Sequence, residues 1–77
     1  MYSAEQIREH MPVIAADGAQ IGTVDHLEGS NRIKLTKTDS PDGKHHIIPL
    51  EWIDHVDTHV HLSKNADEVR GEWTTMN

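Results

Sequence analysis

The sequence predicts a mainly β domain: a small antiparallel β-barrel or half-open sandwich of five or six short strands, with a short helix at each end. Three observations carry this. Apolar and polar residues alternate along "RIKLTKT" and again along "VDTHVHL", the period of a strand with one buried face. Turn-forming clusters at Asp17-Gly18, Gly29-Ser30-Asn31 and Ser40-Pro41-Asp42-Gly43 recur at intervals of about ten residues, as in small all-β folds. Helical spacing marks both ends, where Ile7 and Met11, and Val69 and Trp73, stand four apart.

Taken in order, Ser3 followed by Gln6 has capping-box spacing, and Pro12 disfavours helical geometry just before it. This predicts a helix over residues 3–10. Asp17-Gly18 then closes a hairpin, with Val13 and Ala15 before the turn and Ile21, Val24 and Leu27 after it. The spacing of three predicts a bulge near Gly22. A four-residue loop at Ser40–Gly43 would pair Asp39 with Lys44, Leu35 with Ile48 and Ile33 with Leu50. Trp52, Ile53 and Val56 break the two-residue period and predict a single helical turn after Leu50. The last strand would carry Val56, Val60 and Leu62 inward. Asn65 and Glu68 form a second capping pattern, predicting a helix over 65–73, and "TTMN" reads as a frayed end. The chain is one domain, residues 1–77, whose interior is Ile33, Leu35, Ile48, Leu50, Val60 and Leu62.

Composition narrows the function classes. A chain of 77 residues buries roughly 60–65% of the surface its unfolded form exposes, so a single compact core is the limit. Cysteine is absent, which removes disulfides and thiolate chemistry and fits a reducing cytoplasm. Thirteen acidic residues against seven Lys and Arg give a formal charge of −6. That disfavours nucleic acid and anionic membranes, both of which are bound through basic residues. No apolar run has the length of a membrane span, and the first ten residues lack the basic-then-apolar pattern of a signal peptide. The expected address is the cytoplasm.

Five of the seven histidines fall between Asp42 and Leu62. On a continuous last strand, His59 and His61 would share the outer face with Asp57. Two imidazoles at i and i+2 can reach one Zn²⁺ or Ni²⁺, with Asp57 or His45 as a third ligand. The bland alternative is that the outer face of a sheet is simply polar. His45 and His46 are adjacent, so they point to opposite faces. His46 would lie on the core face, either closing the barrel through a backbone hydrogen bond or acting as a general base. No serine sits on a glycine elbow, and "DGAQIG" lacks the lysine and long helix of a phosphate loop. The expectation is therefore a non-enzyme without a cofactor, with a Zn or Ni site as the alternative.

Ile47 falls on the face away from Leu35 and Ile48, and Ile14 is out of phase with Val13. With Trp52, these are surplus to one small core and mark an expected interaction surface, Ile14, Ile47 and Trp52, for a protein partner or a second copy in a homodimer.

Three stretches also carry a resemblance. "MPVIAADGAQIGTVDHLEG" resembles the opening hairpin of PRC-barrel domains, with Asp17-Gly18 followed by the Ile21-Gly22-x-Val24 step. "RIKLTK" and "HHIIPLEWIDHVDTHVHLSKNADEVRGEW" are similar to a compact bacterial family of uncharacterised domains, DUF2171, related to that barrel. The resemblance runs from Ile7 to Trp73 and implies a small β-barrel with a helical lead-in. PRC-barrel relatives serve as docking modules, which implies a docking role with no catalytic residues to carry over.

Overall fold

The structure, a computed structural model, describes residues 7–29, 31–37 and 43–76. It is mainly β. Among the described residues seven strands form one sheet: β1 (Pro12–Ile14), β2 (Gln20–Glu28), β3 (Arg32–Leu35), β4 (His45–Pro49), β5 (Ile53–Val56), β6 (Val60–Leu62) and β7 (Thr74–Met76). Their order is β5-β6-β1-β2-β3-β4-β7. β5 and β7 are the outer strands and are not paired with each other, so the sheet is open where a closed barrel was expected. All pairings are antiparallel except β1 with β6. Among the described residues one α-helix, α1 (Ala66–Glu72), precedes β7. No helix among the described residues is long and apolar enough to cross a membrane.

The turns form where glycine allows them. Gly18 has φ of 90°, Gly18 N–H reaches Ala15 O at 2.9 Å, and Asp17 Oδ1 accepts from Ala19 N–H at 3.2 Å. The bulge expected near Gly22 is present. Val13 pairs with Gly22 but Ile14 pairs with Gln20, leaving Ile21 unopposed. A second bulge leaves Asp25 unopposed against β3. Bulges add local twist, which lets one nine-residue strand serve β1 along its first part and β3 along its second.

Of the helix expected over 3–10, residues 3–6 lie outside the described residues. Ile7–His10 is not helical and ends in a turn. There His10 takes φ of 68°, a left-handed conformation held by its N–H on Val24 O at 2.8 Å. The C-terminal helix forms as the spacing predicts. Asn65 N–H donates to Glu68 Oε1 at 3.1 Å, and Ala66 and Val69 face inward. "TTMN" is not frayed through Met76: Thr74–Met76 is strand β7, paired to β4 with Ile47 opposite Thr74.

All six predicted interior residues are buried, and they share one cluster with Val13, Ile21, Val24, Ile53 and the inner face of α1. The β3–β4 register differs from the expected one by two residues: Ile33 pairs with Ile48 and Arg32 with Pro49. A slip of two keeps every side chain on its face, so the inside–outside assignment survives while the partners change. Ile47 is buried at 5% exposure, against the expectation that it faces solvent. β7 is the neighbour on that side that the expected strand set lacked. Leu50–Trp52 forms the single helical turn expected after Leu50. The following segment is not one strand, however. β5 and β6 are two arms of a hairpin turning at residues 57–59.

Candidate functional site

His46 has two alternative readings in the sequence, and its surroundings bear on both. It is 1% exposed, and its ring lies flat on Trp73 at 3.7 Å between centroids. Nδ1 stands 3.1 Å from Thr75 Oγ1. That nitrogen thus has a side-chain hydroxyl beside it, on the unforeseen β7. A ring enclosed between strand, helix end and hydroxyl is packed as a core residue.

The imidazoles that do come together are at the other end of the sheet. In the β5–β6 hairpin, Asp57 Oδ1 accepts the N–H of His59 at 2.8 Å, and Asp57 N–H reaches His59 O at 3.0 Å. This tight turn puts His55 directly opposite His61. Their rings stack at 4.2 Å with 11° between planes. His61 Nε2 is 3.0 Å from Asp57 Oδ1. One ligand atom from each of His55, Asp57 and His61 lies within 4.8 Å of the others. Asp54 Oδ2 is 2.9 Å from His55 Nδ1, so it can fix the orientation of that ring. The Asp57 carboxyl is held below its ordinary range, chiefly by the His59 N–H. The His61 imidazole and the charges of His61 and His55 act in the same direction, while desolvation opposes them.

The expected set was His59, His61, Asp57 and His45; the structure groups only His61 and Asp57 of these, and adds His55. His59 sits in the turn, not in the strand. Its Nδ1 is 2.8 Å from Thr58 Oγ1 and 4.0 Å from Asp57 Oδ1, and its ring is 6.0 Å from that of His61. His45 belongs to β4, four strands away from β6 in the order, where Nδ1 meets Leu35 O at 2.8 Å. The sequence signal for His55 lay in the hairpin: with Asp57 as its turn residue, positions 55 and 61 become opposed.

The expected interaction surface is also redrawn. Ile47 is buried, while Ile14 and Trp52 are half-buried, Trp52 lying against the core with Lys64 Nζ 5.5 Å from its ring centroid. Shallow depressions open on the surface among the described residues. One is lined by Asn31, Arg32, Pro49 and Glu51, another by Ala15, Ala16, Asp54, His55, His61, Leu62 and Ser63. The second runs beside the stacked imidazoles, and neither includes His46.

A comparison with curated proteins gives no match. The family described as an uncharacterised protein conserved in bacteria, DUF2171, matches residues 7–70, which hold strands β1 to β6 and most of α1. The chain belongs to this DUF2171 family of bacterial proteins of unknown function.

Proposed function

We propose that this chain is a non-catalytic interaction module of the bacterial cytoplasm, and that it pairs with a second copy of itself along the outer edge of β5. The observation that carries the reading is the open sheet, in which β5 has a strand, β6, on one side only among the described residues. An unpaired edge presents a row of N–H and C=O groups and is a template for strand addition. Antiparallel pairing of β5 with its copy is self-complementary, as a two-fold interface requires. Trp52, just before β5, and Val56, its last residue, are half-buried and packed on the core, which leaves apolar surface beside that edge. A small core without disulfides gains stability from such a partner. The docking role implied by the PRC-barrel resemblance supports the same reading, as does the enclosure of His46.

Light scattering over a concentration series tests it. The expected mass is that of two chains at micromolar concentration. Asp57 turns its N–H inward to His59 O, so by strand alternation the N–H of Val56 faces the open side. Val56→Pro removes that donor and should give a monomer whose circular dichroism still shows the sheet. A wild-type chain that is monomeric at every concentration contradicts the reading.

A further inference from the structure

We propose that the β5–β6 hairpin is a divalent transition-metal site in which His55, Asp57 and His61 are the ligands. The grouping is independent of any pairing along β5, because all three residues lie within one hairpin.

The argument begins with the donor set. Two neutral imidazoles and one carboxylate form an N₂O set of borderline character, suited to Zn²⁺ or Ni²⁺ and unsuited to Ca²⁺ or Mg²⁺, which take oxygen ligands. Proximity follows from the fold, not from chance approach of long side chains. The β5–β6 bulge pairs Ile53 with Leu62 and then His55 with His61, so Asp54 is the unopposed residue. The two rings are thereby brought to one side and stacked, and the turn holds Asp57 against His61. Bonds of about 2.0 Å to a tetrahedral ion place ligand atoms roughly 3.3 Å apart. The three atoms already lie within 4.8 Å of one another; because a metal lies in the plane of each imidazole that binds it, His55 and His61 rotate out of their parallel stack to take one ion. Asp54 at His55 Nδ1 supplies the kind of outer carboxylate that orients a ligating imidazole. The depression lined by His55, His61, Asp54 and Ser63 leaves the site open to solvent. The fourth ligand is then water, and the ion exchanges readily; it is not a closed structural centre.

Calorimetric titration of Zn²⁺, and separately Ni²⁺, into the full chain at neutral pH tests this, with imidazole resonances followed by NMR. The wild type should bind one ion, removable by chelator, with shifts confined to His55, His61 and their neighbours. His55→Ala and His61→Ala should each weaken binding at least tenfold. Asp57→Asn, which keeps an acceptor for the His59 N–H, should also weaken it. His59→Ala and His45→Ala should stay within about twofold of wild type. The proposal is overturned if His55→Ala binds as the wild type does, or if His59→Ala loses as much as His61→Ala. Circular dichroism on each variant separates lost ligands from a lost hairpin.

Discussion

His10 shows how one backbone angle can be read as energy. Its φ of 68° lies in the left-handed region, where a side chain with a Cβ is disfavoured by about 1–2 kcal/mol relative to the right-handed helical conformation. Its N–H is committed to Val24 O, while its side chain is exposed. His10→Gly would keep the backbone bond and relieve the strain, at the expense of a more flexible unfolded chain. The expected outcome is a stabilisation of about 0.5–1 kcal/mol, measured by urea denaturation. A loss of stability would mean that the imidazole makes a contact that outweighs the strain. A lone histidine before Met-Pro gives no sign of this conformation in the sequence, because glycine is the usual occupant and its absence hides the position.

At the scale of elements, the hairpin turn rests on one carboxylate. Asp57 accepts the His59 N–H and faces His61, and its carboxyl is lowered relative to the unfolded chain. A lowered carboxyl contributes stability that is fully present above the unfolded value, about 3.9. That stability is lost as pH falls through the folded value. Wild type should therefore lose hairpin stability on acidification below about pH 4, and Asp57→Asn should show a flatter acid limb in the same urea series. Equal acid limbs would contradict the assignment. This turn was hidden in the sequence because Asp57-Thr58-His59 contains no glycine, so "VDTHVHL" reads as unbroken alternation; the Asp side chain does the work that a left-handed residue does elsewhere. The Asp17-Gly18 turn, by contrast, was plain. The β3–β4 partners were misjudged by two residues for a related reason: alternation fixes the face and leaves the slip undetermined. β7 went unseen because Thr74 and Thr75 have no apolar alternation to betray a strand. With β7 went the burial of Ile47 and the hydroxyl partner of His46.

For the whole molecule, the interior was legible, since Ile33, Leu35, Ile48, Leu50, Val60 and Leu62 all lie in one core; the burial of Ile47 was not. Ile48 and Ile33 are completely buried and directly paired across β3 and β4. Truncating either leaves a cavity costing about 2–5 kcal/mol. Against the few kcal/mol that a core of this size supplies, Ile48→Ala should be largely unfolded at 37 °C by circular dichroism. A cooperative, near-native melting curve for that variant would place Ile48 outside the core. What alternation could not reveal was closure, because strand patterning is the same in a barrel and an open sheet. The free edge of β5 depends on it.

The most direct test is a nuclear Overhauser survey of the free protein, read for which strands are neighbours. An open sheet ending in the β5–β6 hairpin predicts cross-strand contacts of His55 with His61 and Val56 with Val60, and contacts of Val13 with Val60 across the parallel pair. It predicts none between β5 and β7. Contacts joining β5 to β7, or His55 without His61 as its neighbour, would contradict the account.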